Sequence, residues 1–316
     1  MDAIKVSIIT SLYRGEKYLE SFLYHLSKLS NPWECEWILV HNDPTETELI
    51  LLENFKESVS MIETVHLKVG REPLYSSWNR AVAAARGEYI TIWNIDDIRR
   101  PDSIQQQLAV LEKETDAAIV YGNYKIVNYY GNTTGVDVVV PDFHDKPDDF
   151  LRQHYIGPFP LWRKDLHKVI GYFDEQFKLV SDLDFQIRAS RVSPLVKVNK
   201  ELGTYLEGTA DNLSSNYQLQ DLENTVLQLR YGNFDLIYLT HFFSAILNYK
   251  IRSYKWFGNY TSMADIYNYQ TQNYWANFPL IFFSLLKLPR HLARKYLKPI
   301  VRAYLKNQNS KGALVE

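Results

Sequence analysis

Two pairs of carboxylates carry the clearest chemical signal in the chain. Asp96 and Asp97 are adjacent and directly follow an apolar run, Glu88 to Trp93, that reads as a strand, with Pro101-Asp102 close behind. Neighbouring carboxylates repel unless a cation or hydrogen-bond donors compensate them. Hard divalent ions such as Mg²⁺ and Mn²⁺ take oxygen ligands and join a carboxylate to a phosphate. The same residues could instead form an acidic turn ahead of a helix, with Asp102 at its N-terminus. Asp182 and Asp184 form the second pair, one residue apart near the start of a predicted helix. A carboxylate within reach of a sugar hydroxyl can take its proton. Alternatively, Asp182 caps the helix and Asp184 pairs with Arg188 one turn later.

Such groups need a frame, and the first half of the chain supplies a regular one. Val6 to Ser11, Trp37 to Val40, Ile62 to Val69 and Glu88 to Trp93 read as strands. Between them, Tyr18 to Leu29, Thr45 to Glu57 and Ser76 to Arg86 show helical spacing, and Asp102 to Lys113 follows as a fourth helix. Alternation with short connections predicts an α/β fold, a Rossmann-like and mostly parallel sheet flanked by helices. Ligands of such sheets bind beyond the carboxyl ends of the strands, where the strand order reverses. Ser11 to Arg14, His41 to Asp43 and Asn94 to Asp97 are thereby predicted to share one rim.

The second half is less regular. Ala117 to Asn128 reads as a strand, Gly131-Asn132 as a turn, Asp142 to Asp149 as an acidic loop and Gly157 to Pro160 as a stiff connection. Phe185 to Ser190 is predicted helical, and the chain from about Asp221 is helical and rich in aromatics. This divides the chain into a domain at 1–220, split near 115 and 116, and a basic helical region at 221–316.

Composition bounds the function. The 316 residues, 46% hydrophobic and 23% charged, fit a globular protein with a buried core. The one cysteine, Cys35, can form neither an internal disulfide nor a zinc cluster and reads as packing beside Trp33 and Trp37. The opening residues lack the basic-then-apolar pattern of a secretory signal, and no run approaches the roughly 18 apolar residues of a membrane span; a cytoplasmic protein is expected. From Ile266 to Val315 there are eight basic and no acidic residues, so 27 basic and 37 acidic residues remain elsewhere. An acidic body argues against nucleic acid as partner.

With these segments in place, the chain resembles family 2 glycosyltransferases of the GT-A fold. The resemblance runs in order along residues 4 to about 215. Val6-Ser7-Ile8-Ile9-Thr10-Ser11-Leu12-Tyr13 resembles the family's opening strand and Glu36 to Asp43 its second. Leu74 to Arg80 and Ala85 to Ile90 resemble the approach to the metal-binding strand, and Asn94-Ile95-Asp96-Asp97 stands at the DXD-type motif. Gly171-Tyr172-Phe173-Asp174-Glu175 and Ser181-Asp182-Leu183-Asp184 resemble the GGFDE and ED-type motifs. The resemblance implies a non-processive transferase that moves a sugar from a nucleotide-diphosphate sugar, a UDP-sugar first of all, to an acceptor hydroxyl with inversion. Asp97 and Asp96 would hold Mn²⁺ or Mg²⁺, Asp96 also reaching the ribose. Ser11, Tyr13, Asp43, Arg71 and Asn79 would line the donor pocket, and Asp182 would be the general base.

Several positions depart from the family pattern. His41-Asn42-Asp43-Pro44 replaces DDGS, which leaves the nucleoside contact on Asn42 or Asp43. Asn94 replaces an acidic residue, so a metal would rest on Asp96 and Asp97 alone. No QxxRW string occurs, which argues against a processive synthase. The altered residues also leave open a catalytically silent nucleotide-sugar-binding or scaffold protein. A sugar nucleotidyltransferase is a further alternative, disfavoured by the single glycine after the first strand. His41 reads as a polar neighbour rather than a metal ligand, and Tyr129 and Tyr130 as packing. His144 and His154 fall on the acceptor side without an assigned role.

The basic segment 278–306 interleaves cations with apolar residues, which suits either a helix lying on anionic membrane, as a lipid-linked or polysaccharide precursor would favour, or a helix packed on protein. Sedimentation with anionic liposomes separates the two. The membrane-facing reading expects the full chain to bind and a chain ending at Asn277 to bind less; equal binding rejects it.

Overall fold

The computed structural model describes residues 4–57, 60–143, 156–208 and 216–231, with positions 241, 244, 245, 248 and 249. The predicted alternation of the first half is present as β1 (Val6–Leu12), α1 (Glu16–Ser27), β2 (Cys35–Asn42), α2 (Glu46–Phe55), β3 (Glu63–Val69), α3 (Leu74–Ala84) and β4 (Tyr89–Ile92). β1 and β2 are apolar almost throughout because helices cover both of their faces. On α1, Leu19, Phe22, Leu23 and Leu26 form the buried stripe that the sequence spacing requires. Phe22 packs between Trp37 and Trp93, with ring centroids 5.7 and 5.1 Å away. Both ends of this layer are held by polar bonds, Trp37 Nε1 donating to Thr10 Oγ1 and that hydroxyl donating to the Trp93 carbonyl.

Strand order sets the site. Among the described residues the sheet runs β3-β2-β1-β4 and continues through strands of the second half. β3, β2, β1 and β4 are parallel, in a register that pairs Leu12 with His41, Asn42 with Val69, and Ile9 with Ile92. Chain order therefore reverses between β1 and β4, and their carboxyl ends leave a crevice there. Gly15, in the β1–α1 connection, belongs to that close packing. A Cβ on it would lie 2.0 Å from Ile95 Cδ1, so this loop rests on the residue preceding Asp96.

The second half adds β5 (Ile98–Arg99), α4 (Ser103–Lys113), β6 (Ile119–Val127), β7 (Val136–Val138), β8 (Leu161–Arg163), α5 (Leu166–Ile170), α6 (Ser181–Ser190), β9 (Leu195–Leu206) and α7 (Tyr217–Arg230). Here the pairing is mixed: β8 is antiparallel to β4 and β6, whereas β9 is parallel to β6 with an irregular register after Gly122. The mostly parallel sheet expected from sequence is parallel through β3, β2, β1 and β4 and again between β6 and β9. β5, β7, β8, α5 and β9 were not foreseen from sequence. α6 begins at Ser181 rather than Phe185, which brings Asp182 and Asp184 into its first turn. The described residues group into two compact units that divide after Gln220. His144, His154 and the basic segment 278–306 lie outside the described residues.

His167 on α5 shows how burial fixes a proton. Trp162 can only donate, so its 3.0 Å bond to His167 Nε2 makes that nitrogen the acceptor. The ring proton then sits on Nδ1 and is donated to the Gly171 carbonyl, 3.0 Å away. Burial pushes the imidazole pKa down to about 3. The unfolded chain, with an ordinary histidine, takes up the proton first as acid is added. The stability from neutral His167 is therefore complete above about pH 6.5 and declines toward pH 3, by up to ~1.4 kcal/mol per pH unit. Half-buried His66, pushed down to about 4, acts with the same sign. The change in thermal midpoint from pH 7 to pH 5 should be less unfavourable in His167→Gln than in the wild type; an identical change in both would contradict this assignment.

Candidate active site

The carboxyl ends of β1, β2 and β3 bring together three of the predicted donor contacts. Tyr13 follows β1 and is 39% exposed. The Arg71 guanidinium, just beyond β3, lies 3.8 Å from the Tyr13 ring centroid, a cation–π contact on an open face. Asp43 adopts a left-handed backbone, φ 42°, and its Oδ1 accepts from the Arg71 backbone N–H at 3.1 Å. One exposed cluster thus presents an aromatic face, a cation and a carboxylate.

The choice between Asn42 and Asp43 follows from burial. Asn42 is 2% exposed, and its amide is occupied from both ends. It donates to Ser77 Oγ at 3.0 Å and to Ser11 Oγ at 3.3 Å, and accepts from the Glu72 N–H at 2.9 Å. Asn42 therefore joins β2 to the start of α3, while its exposed neighbour Asp43 faces the rim. Ser11 is half-buried and tied to the cluster through Asn42.

At the end of β4, Asp97 is 1% exposed and Asn94 Nδ2 donates to its Oδ2 at 3.2 Å. Its other oxygen, Oδ1, is buried without a hydrogen-bond partner. Burial, and then the neighbouring Asp96 charge, push the Asp97 carboxyl well above the usual range; burial also raises Asp96. A buried, partnerless carboxylate oxygen beside a second carboxyl is a donor set that suits a hard cation. Among the described residues, no group of three or more His, Cys, Asp or Glu side chains is arranged to hold a metal. Among the described residues, Asp96 and Asp97 are the carboxylates at this strand end, with Asn94 at the first motif position.

The second acidic pair separates into two roles. Asp184 and Arg188 are both fully buried and bonded at 2.8 Å, with Arg188 also donating to the Tyr172 carbonyl. That is the helix-surface pairing turned inward, and it is structural. Asp182 is only half-buried and accepts from the Tyr75 hydroxyl at 3.1 Å. Burial raises its carboxyl above the usual range against the pull of that bond.

Asn79 does not join the donor cluster. It is fully buried on α3, donating to the Phe173 carbonyl at 2.9 Å and to Glu175 Oε1 at 2.8 Å and accepting from the Phe173 N–H at 2.9 Å. Its amide holds the Gly171–Glu175 segment, which corrects the expectation of a nucleotide contact. Tyr130, read as packing, lies against Tyr18 with ring centroids 4.9 Å apart and planes tilted by 50°, but its hydroxyl also lies within electrostatic reach of Asp97 and Asp96; Tyr129 is 74% exposed. Lys17 lies near Asp96 and eases its raised carboxyl. Lys17 carried no sequence signal, and Tyr75 stood in the Leu74 to Arg80 segment without a role of its own, since neither belongs to an acidic motif.

Residues 7–171 match the family described as Glycosyl transferase family 2. The chain belongs to glycosyl transferase family 2. It is 26% identical over 208 residues to an uncharacterized glycosyltransferase of Rickettsia conorii, covering 60% of this chain and 32% of that one. It is 28% identical over 142 residues to glycosyltransferase GlyG of Streptococcus pneumoniae, covering 43% and 46%. The chain thus spans less than half the length of either relative. The fold is also that of TarS from S. aureus, solved with UDP-GlcNAc, with a TM-score of 0.56, 19% identity and coverage of 77% and 72%. A mannosyltransferase from Pyrobaculum calidifontis, solved with GDP-Man and Mn²⁺, aligns with a TM-score of 0.51, 14% identity and coverage of 99% and 81%. This family 2 chain therefore has the GT-A architecture, a central sheet flanked by helices.

Arg71→Ala removes the nearer cation from the Tyr13 ring, leaving Arg14 at 5.8 Å, and keeps the backbone bond to Asp43 possible. Nucleotide affinity should fall about tenfold by calorimetry, with the melting temperature nearly unchanged. An unaltered affinity would take Arg71 out of the donor pocket.

Proposed function

We propose that this enzyme moves a sugar from a UDP-sugar to an acceptor hydroxyl by a single displacement with inversion. The observation that carries the proposal is Asp182, a half-open carboxylate raised by burial and oriented by Tyr75. Tyr75 lies on the helix whose entry also carries Arg71 and Glu72, so base and nucleoside cluster share one support.

The Tyr13 ring would stack on the base, with Arg71 behind it and Asp43 reaching the base or ribose. Asp97 and Asp96 would hold Mn²⁺ or Mg²⁺, which neutralises charge on the diphosphate. Asp182 would accept the acceptor's hydroxyl proton as that oxygen bonds to the anomeric carbon. The bond from that carbon to the diphosphate oxygen breaks on the opposite face, and its electron pair leaves with the nucleoside diphosphate. A carboxyl raised above the ordinary range is a stronger base than a free aspartate. For the acceptor, a lipid-linked or polysaccharide precursor is proposed, presented at the inner face of a membrane to the basic segment 278–306.

Asp182→Asn should lower kcat by roughly 10²- to 10⁴-fold while UDP binding in Mn²⁺ stays nearly constant. Tyr75→Phe should lower kcat by about tenfold, since the base loses its orienting donor. Turnover at the wild-type rate in Asp182→Asn would remove it as the base. Asp97→Asn should abolish the Mn²⁺ dependence of UDP binding; a retained dependence would move the metal elsewhere.

A further inference from the structure

The β2 strand has a fully buried carboxylate near each end, and only one of them serves the rim. At its start, Glu36 accepts from Ser7 Oγ at 2.5 Å, the Arg86 N–H at 2.6 Å and the Arg86 guanidinium at 2.7 and 2.9 Å. Beyond its carboxyl end, Glu48 on α2 is also 0% exposed. Glu48 Oε1 accepts from the Gly15 N–H at 2.8 Å. Its Oε2 accepts from the Thr45 N–H at 3.0 Å, completing a capping box, and meets His41 Nε2 at 3.0 Å. His41 is fully buried, and its Nδ1 contacts His66 Nε2 at 3.0 Å. Burial alone would raise the Glu48 carboxyl, but the donors from His41, Thr45 and Gly15 hold it below the usual range.

These partners lie within two residues of the donor cluster. Gly15 follows Tyr13 and Arg14, whose backbone is left-handed at φ 52°, and it rests against Ile95, next to Asp96. Thr45 follows Asp43, which is also left-handed. A helix cap needs only the Thr45 bonds. The bonds to Gly15 and His41 reach out of the cap to a different loop and a different strand. We infer that Glu48 is a positioning residue for nucleotide binding: one buried carboxylate sets the spacing between the loop that carries Tyr13 and the loop that carries Asp43. The inference rests on the reading of this rim as the donor site. Glutamine has the same shape but one acceptor oxygen, so it cannot serve Gly15 on one side and Thr45 and His41 on the other.

The experiment compares Glu48→Gln with Glu36→Gln, which removes an equally buried charge at the opposite end of β2, a strand about 25 Å long. UDP is titrated by calorimetry in Mn²⁺, and donor KM and kcat are measured with the sugar nucleotide that the wild type turns over. Glu48→Gln should weaken UDP binding and raise KM about tenfold, with kcat at saturating donor within about threefold of wild type. Glu36→Gln should lower the melting temperature without changing UDP affinity more than twofold. If Glu48→Gln fails to fold, Glu48→Asp keeps the charge on a shorter arm and should show the same split. Wild-type UDP affinity in the Glu48 variants, or equal weakening in Glu36→Gln, overturns the inference. If the wild type binds neither UDP nor GDP, the donor reading falls and this inference with it.

Discussion

The site depends on one side-chain amide. Asn79 both donates to and accepts from the backbone of Phe173, in the manner of a strand pair, and spends its remaining donor on Glu175. Those bonds fasten the Gly171–Glu175 segment of the second half to a helix of the first. Ser76 adds a 2.6 Å bond to the same glutamate. Tyr75, one residue before Ser76, can then meet Asp182. The separation between the Tyr13–Arg71–Asp43 cluster and the proposed base, Asp182, is thus set by buried hydrogen bonds, where unmade bonds are costly. The aromatic packing of Trp78 and Phe173 beside them excludes water from those bonds.

The rim also illustrates how buried charge is sorted. Glu48, Glu36 and Asp184 are enclosed and fully compensated by donors or a guanidinium. Asp97 is equally enclosed, yet one of its oxygens has no hydrogen-bond partner. Structural acids are held low or paired, whereas Asp97, Asp96 and Asp182 have carboxyls raised by burial. This contrast separates the three carboxylates proposed to act on the donor and acceptor from the supporting ones more sharply than sequence position does.

What sequence revealed follows from which forces act locally. β1 and β2 were legible because strands covered on both faces must be apolar along their length. α2 was legible through the helical spacing of Leu49, Leu52 and Phe55. β9 was not, because Lys197, Asn199, Lys200 and Glu201 interrupt its apolar pattern and the register shifts beside them. β5 is two residues long and includes an arginine, Arg99, that is 1% exposed, a placement no periodicity would suggest. In the site, Asp96, Asp97 and Asp182 stood in recognisable motifs. The fate of Asn79 was hidden because an amide suits a nucleotide as well as a backbone. Asn42 and Asp43 were distinguishable only once the strand end was known to turn one inward and the other out.

Cys35 has a practical consequence. It is the chain's sole cysteine, 4% exposed, with its thiol pushed up by burial to about 12. Thiolate, the form that reacts with alkylating probes, is scarce there at neutral pH. A cysteine introduced at an exposed site outside the donor cluster, such as position 61, where Met61 is 60% exposed, would therefore be the one that takes a fluorophore, with the native thiol left in place.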